Sequence, residues 1–228
     1  ILRELKINYF DFNEVIRNWI TVQSYINLKS EFTYLKTHNV MCSINKSSFT
    51  NRENTAGVIY IVRDPRDIVI SNSHHSKKTH EKIVSDLIYK QCVEKKLENN
   101  KEVVRSILGT WADHYNSWKN FKLREIIIVK YEDLIKDPHE SFSKIIKYLN
   151  KVNGLIIDNA KIKKAIEKTR FEKLKKLEGK FGFNERYHKD VPFFRKGTVG
   201  DWRDNLNKNL REIIEKNFEK EMKELGYI

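Results

Sequence analysis

The chain has 228 residues, with 44 Lys and Arg against 31 Asp and Glu, and so a formal charge of +13 with His neutral. That length suits one large or two small domains, and 12 Phe, 10 Tyr and 4 Trp supply enough bulk for a packed core, which excludes a wholly disordered chain. Eight Gly and three Pro exclude a collagen-like or low-complexity chain.

In chain order, the first residues mix charges of both signs, so no signal peptide is expected. Residues 11–28 carry Phe12, Val15, Ile16, Trp19 and Ile20 at helical spacing and predict an amphipathic helix. Phe32–Lys36 reads as a short strand. Gly57 is followed by Val58-Ile59-Tyr60-Ile61-Val62, an apolar run that suits a strand buried on both faces of a parallel sheet. Asp64-Pro65 then predicts a helix carrying Ile68, Val69 and Ser71, because proline is tolerated in a first turn. Residues 76–101 are rich in Lys and poor in large apolar side chains, and read as a mobile helical segment, either a lid or an acceptor-side piece.

Glu102–Phe121 has Val103, Ile107, Trp111, His114, Tyr115 and Trp118 at helical spacing. Ile126–Val129 is a second buried strand. Asp137-Pro138-His139-Glu140 starts a helix over 138–149 with an acidic cap. Basic helices follow over 158–168 and 170–177, then a long loop over 179–202, then an amphipathic helix over 206–225. Strands alternating with helices argue for an α/β fold with a mostly parallel sheet.

Cys42 and Cys92 are the only cysteines, too few for a disulfide framework, which points to a reducing compartment such as the cytoplasm. The longest apolar runs fall far below the roughly 20 residues of a membrane helix, so no membrane span is expected. The positive charge suits nucleic acid, an acidic membrane surface or a multiply anionic small ligand. Lys spread along the chain with Glu interleaved also describes ordinary solvated helix faces.

Three clusters carry chemistry. Arg63 ends a buried strand just before a helix, where ligands of open α/β sheets bind and where a helix N-terminus favours anions. Ser71 follows about two turns along that helix. The alternative for the pair is a surface Arg and a buried Ser. In Arg195-Lys196-Gly197, two cations precede a glycine that lets the backbone approach a ligand closely. The alternative there is a solvated basic turn. No Gly-x-x-x-x-Gly-Lys-Ser/Thr loop occurs. In Lys36-Thr37-His38, the histidine can take a proton from a hydroxyl and the lysine can offset negative charge. His74, His75 and His80 lack partners at metal-ligand spacing and read as solvated helix residues.

Taken in order, these clusters resemble the sulfotransferase family, in its soluble type that uses 3′-phosphoadenylyl sulfate (PAPS). Lys36-Thr37-His38 resembles the family's Lys-Thr-His at the transfer site. Tyr60 to Asp67, with Ser71, resembles its strand-loop-helix for the 3′-phosphate. Val129-Lys130-Tyr131-Glu132-Asp133-Leu134 resembles its Tyr-Glu-Asp segment, and Thr169-Arg170-Phe171-Glu172-Lys173-Leu174 the segment touching adenine. Arg195-Lys196-Gly197 followed by Gly200-Asp201-Trp202 resembles its most specific signature. Gly109-Thr110-Trp111 with His114 and Trp118 resembles a helix beside the acceptor. The likeness runs from about residue 33 to the end.

The resemblance implies one three-layer α/β domain over 1–228, of the P-loop nucleotide-binding-like group. It implies transfer of a sulfuryl group from PAPS to a hydroxyl or amine, leaving adenosine 3′,5′-bisphosphate. His38 would be general base and Lys36 would offset charge. Arg63, Ser71, Arg195, Lys196 and Gly197 would hold the 3′-phosphate, and Tyr131, Thr169 and Phe171 would form the adenosine site. No metal is implied. The acceptor would be a small molecule, glycan or peptide, and a homodimer is compatible with the pattern. The family begins with a strand and a Gly-rich loop for the 5′-phosphosulfate, yet the first glycine here is Gly57, so the true N-terminus is expected upstream of Ile1. Leu225-Gly226-Tyr227 resembles a natural C-terminal end. Two rivals stand beside this reading. A nucleotide kinase would need a Lys-bearing P-loop and Mg²⁺ groups. A basic nucleic-acid binder is disfavoured by the lack of a recognisable binding module.

Overall fold

The computed structural model describes residues 1–29, 32–89 and 106–228. In chain order the described elements begin with α1 (Phe12–Arg17), α2 (Trp19–Asn27), β1 (Ser43–Ile44), β2 (Ser47–Ser48) and β3 (Val58–Val62). Next come α3 (Pro65–Ser76), α4 (His80–Tyr89), α5 (Trp111–Lys119), β4 (Ile126–Lys130), α6 (Tyr131–Lys136) and α7 (Pro138–Asn153). The chain then forms α8 (Asn159–Lys168), α9 (Phe171–Phe181), α10 (Trp202–Asn205), α11 (Lys208–Asn217) and α12 (Glu219–Leu225). The architecture is α/β, with β3 and β4 hydrogen-bonded neighbours in a parallel sheet, as expected. By contact the chain forms two compact units, Ile1–Tyr60 with Tyr89–Ile127, and Ile61–Ile88 with Ile128–Ile228.

The first unit packs around Val15, Ile16 and Trp19, with Tyr9, Phe12, Cys42, Ile44, Phe49 and Ile107 against them. The Trp19 and Phe49 rings meet edge to face at 5.3 Å. Burying each such large side chain contributes about 1.5–3 kcal/mol. The single helix expected over 11–28 is broken at Asn18, whose side-chain amide donates to the Glu14 carbonyl at 2.8 Å while its backbone leaves the helical region. Asparagine competes in this way with the helix ladder.

The strand expected over 32–36 does not form, and residues 32–38 run irregular and exposed. The nearby strands are instead β1 and β2, an antiparallel hairpin pairing Ser43 with Ser48 and Ile44 with Ser47. Its turn residues Asn45 and Lys46 both have positive φ, the geometry whose twist matches a two-residue hairpin. The helix expected from Glu102 begins only at Trp111 within the described residues. Gly109 has φ +64°, and Thr110 and Asp113 then exchange side-chain-to-backbone bonds in a capping box that sets the start.

In the second unit Asp64 caps α3, accepting from the Arg66 N–H at 2.9 Å. Arg66 is buried, but it is paired with Asp64 and Glu215, donates to the Tyr227 carbonyl and lies 3.8 Å from the Trp202 ring centroid. A buried cation is stable only when it is partnered in this manner. Ile214, Phe218 and Met222 are buried at helical spacing, but the chain turns at Phe218, so the single helix expected over 206–225 is two. α4 buries Ile83 and Val84, so this part of the expected mobile segment is an anchored helix. Residues 90–101 of that expectation lie outside the described residues. Residues 182–201 form the expected long loop.

β3 departs from expectation in its faces. Val62 is buried, but Ile59 and Ile61 stand 36% and 57% exposed, an alternation rather than a strand covered on both sides. An apolar run cannot reveal whether a neighbour covers its second face.

Candidate active site

In the first unit, Lys36, Thr37 and His38 lie in the exposed irregular segment after residue 32. The residues that follow are tied down. The Val40 N–H donates to the Ile107 carbonyl at 2.7 Å, and the Ile107 N–H donates to Asn39 Oδ1 at 2.8 Å. α5 supplies two further anchors: the Trp118 indole donates to the Asn39 carbonyl at 2.9 Å, and the Ser117 hydroxyl accepts from the Met41 N–H at 3.0 Å.

His114, one turn earlier on α5, stands between Tyr60 and the segment. Its Nε2 lies 3.3 Å from the His38 carbonyl and its Nδ1 lies 2.9 Å from the Tyr60 hydroxyl. Burial pushes the His114 pKa down, and burial pushes the Tyr60 phenol well up, so the imidazole is neutral and the phenol protonated at neutral pH. A nitrogen facing a carbonyl must be the donor. Nε2 therefore carries the proton, and Nδ1 accepts from Tyr60. The resemblance set the helix carrying His114 beside the acceptor but did not reveal Tyr60 as its partner.

The second unit gathers most of the residues expected to hold an anion. Arg63, at the end of β3, sends Nη2 to the Thr198 carbonyl at 3.2 Å and sits 4.4 Å from the centroid of the Tyr131 ring. Its Nε is buried without a hydrogen-bond partner. Asp67, on the first turn of α3, is almost fully buried and accepts from the Gly200 N–H at 2.7 Å and the Trp202 N–H at 3.0 Å. That carboxylate fixes the far end of the loop carrying Arg195, Lys196 and Gly197.

Asp201 holds the two cations, with Arg195 Nη2 at 2.5 Å and Lys196 Nζ at 2.7 Å. Burial alone would raise the Asp201 pKa, but those two donors and their charges hold it below its ordinary 3.8. The grip on Arg195 and Lys196 is therefore complete above that value, and weakens only as pH falls through the lower folded value. Each cation keeps further donors, since guanidinium has five N–H groups and ammonium three. An orphaned guanidinium nitrogen, two oriented cations and a glycine backbone are donors that fit a phosphate.

The other three positions divide. Phe171, at the start of α9, packs on Gly197 and lies 6.2 Å from Phe194. Thr169 turns its hydroxyl back to the Ala165 carbonyl at 2.8 Å. Ser71 is half-buried on α3, and among the described residues no hydrogen bond joins its hydroxyl to the loop. Sequence reasoning had no role for Asp67 or Asp201, although both stand inside quoted motifs; an acid beside a cation cluster was the available signal. No group of His, Cys, Asp and Glu that could hold a metal ion occurs among the described residues.

Gly197 gives a direct test of this packing. It has φ +65°, and a Cβ there would stand 2.4 Å from Phe171 Cδ2. Gly197→Ala combines left-handed strain with overpacking, and is expected to lower stability by about 2–4 kcal/mol. Denaturant unfolding followed by circular dichroism checks it; an unchanged midpoint would mean that the glycine is not pressed on the ring.

The profile of the sulfotransferase domain family matches residues 6–226. The amine sulfotransferase of Oryctolagus cuniculus is 30% identical over 181 residues, covering 76% of this chain and 56% of that protein. The 3-alpha-hydroxysteroid sulfotransferase of Cavia porcellus is 28% identical over 185 residues, covering 78% and 58%. The crystal structure of mouse sulfotransferase SULT7A1 complexed with PAP superposes with a TM-score of 0.54 at 23% identity, covering 75% of this chain and 59% of that one. The chain thus spans less than three-fifths of the length of these relatives.

Proposed function

The chain belongs to the sulfotransferase domain family, and from that premise we propose that it moves a sulfuryl group from PAPS to the hydroxyl or amine of a small acceptor. The observation that carries the reading is the anion-binding set of the second unit: Arg63 with its unpartnered Nε, Arg195 and Lys196 oriented by Asp201, and Gly197 seated on Phe171. Bound there, PAPS supplies an activated sulfuryl group whose leaving group is a phosphate.

Arg63, Arg195, Lys196 and the Gly197 backbone bind the 3′-phosphate, with Ser71 offering a hydroxyl on α3. Phe171, Tyr131 and Thr169 border the adenosine; stacking of a base on an aromatic ring contributes about 1–3 kcal/mol. His38 accepts the acceptor's proton as the acceptor oxygen or nitrogen bonds to sulfur. The bond from sulfur to the bridging phosphate oxygen breaks, and its electron pair leaves on that oxygen. Lys36 offsets the charge developing around the transferred group. Neither a kinase nor a nucleic-acid binder is favoured by the family match.

The profile crosses both compact units, which supports reading them as one sulfotransferase domain. Cys42 is a free thiol, which suits a reducing compartment and supports the cytoplasm as the place of action. No described helix is long and apolar enough to cross a membrane. Turnover of PAPS to adenosine 3′,5′-bisphosphate tests the reading with a panel of amines, hydroxysteroids and, because the chain carries +13, an anionic glycan and an acidic peptide. The panel is expected to contain at least one small acceptor that is sulfated. No turnover with any acceptor, together with no binding of the bisphosphate, would overturn it.

A further inference from the structure

One face of α9 runs alongside the loop that carries the cations. Phe171, Lys175 and Glu178 stand at i, i+4 and i+7, the spacing of a single helix face. Phe171 packs against Gly197, Lys175 Nζ reaches the Arg195 carbonyl at 3.5 Å, and Glu178 engages the chain just before Arg195. As α9 advances, the loop is met in reverse order.

Glu178 makes the densest of these contacts. It is only 3% exposed. Its Oε1 accepts from Arg186 Nε at 2.5 Å and from the Phe193 N–H at 2.6 Å, and its Oε2 accepts from the Phe194 N–H at 2.9 Å. Arg186 also donates through Nη2 to the Glu178 carbonyl at 3.2 Å and through Nη1 to the Lys189 carbonyl at 3.1 Å. Burial opposes the charge on Glu178, but the two amides and Arg186 outweigh it and keep the carboxyl below its ordinary pKa.

We propose that Glu178 is a positioning residue for nucleotide binding, holding two consecutive amides so that Arg195, Lys196 and Gly197 are presented to a 3′-phosphate in one fixed register. The inference rests on the reading of the anion site given above and extends it to a residue that touches no ligand. The Arg195 N–H itself donates to the Phe193 carbonyl at 3.1 Å, so a tight turn ties Arg195 to the residue whose amide Glu178 holds. A slip of one residue would therefore turn Arg195 away and bring Phe194 or Lys196 into its place. A carboxylate has an acceptor oxygen for each of the two N–H groups, whereas a carboxamide presents one oxygen and one donating nitrogen. Glu178→Gln therefore keeps the shape but leaves one buried amide facing a donor.

Isothermal titration of the full chain with adenosine 3′,5′-bisphosphate and with adenosine 5′-phosphate tests this. Wild type is expected to prefer the bisphosphate; equal affinities there would sink the reading of the anion site itself, and the proposal with it. Given that preference, Glu178→Gln is expected to weaken bisphosphate binding about 10-fold and to change 5′-phosphate binding less than about 2-fold, as loss of one charge-assisted contact implies. Equal changes for both ligands, or none for either, would overturn the positioning role. A general loss of folding would lower both affinities together, so the ratio separates register from stability. Should Glu178→Gln fail to fold, Arg186→Ala, which leaves both amide bonds in place, is expected to narrow the same ratio about 3-fold; an unchanged ratio there would count against the proposal.

Discussion

Replacing His38 with alanine is expected to lower sulfuryl transfer by about 10²–10⁴-fold, the usual contribution of a positioned general base. The side chain stands in an exposed segment, but the backbone around it is anchored: the His38 carbonyl faces His114 Nε2, and Asn39, Val40 and Met41 are bonded to α5 and to Ile107. A base held in this way can meet an acceptor hydroxyl without first ordering its own chain. His38→Ala leaves those backbone anchors in place, so affinity for adenosine 3′,5′-bisphosphate, measured by titration, is expected to stay within about 2-fold of wild type, since no charge-assisted contact to the phosphate is removed. Steady-state turnover with a saturating acceptor provides the decisive measurement. Wild-type turnover in the variant would exclude His38 as the base.

Arg63→Ala and Arg195→Ala are each expected to weaken binding of the bisphosphate by about 10–150-fold, the equivalent of one charge-assisted interaction of about 1.5–3 kcal/mol. The same variants are expected to change binding of adenosine 5′-phosphate far less. Arg63 carries the larger expectation, because its Nε is buried without a partner and its guanidinium is braced between the Tyr131 ring and the Thr198 carbonyl. Arg63→Lys keeps the charge but loses the planar fork, so it should recover only part of the affinity. Arg195→Ala also leaves Asp201 with Lys196 as its remaining cation from the loop, which draws Lys196 away from a ligand. Equal losses for the two ligands would show that neither arginine reads the 3′-phosphate.

How much of this site was readable in advance varied by residue. Arg63 was legible because a β-branched run ending in Arg-Asp-Pro marks a strand followed at once by a helix start, and the structure has both, in β3 and α3. The Arg195-Lys196-Gly197 segment was legible on a different local ground, two cations preceding a glycine. Its positive φ at Gly197 belongs to a residue that tolerates it, and the steric demand of Phe171 explains why glycine stands there. Asp67 was hidden, since its amide partners at Gly200 and Trp202 lie more than 130 positions away. Glu178 was hidden more deeply: on α9 it reads as one more acid among lysines, and only its burial beside Phe193 and Phe194 distinguishes it.

Local hydrogen bonding can be read from neighbouring residues, and it is what the sequence by itself determined. Asp64-Pro65 starts α3, Asp137-Pro138 starts α7, and the apolar runs at 58–62 and 126–129 make β3 and most of β4. Each depends on groups within a few positions of one another. Tertiary structure decided the rest. It ended α11 at the buried Phe218 and left Ile59 and Ile61 exposed on β3, whereas the break at Asn18 and the start of α5 at Trp111 come from local bonds to Glu14 and between Thr110 and Asp113. It also determined which carboxylate serves which donor: Asp67 for the loop amides, Asp201 for Arg195 and Lys196, and Glu178 for Phe193 and Phe194. A carboxylate accepts equally well from any N–H that comes near. Which one comes near depends on how distant segments pack, and burial then makes that choice strong because an unpartnered polar group away from water costs about 1–3 kcal/mol.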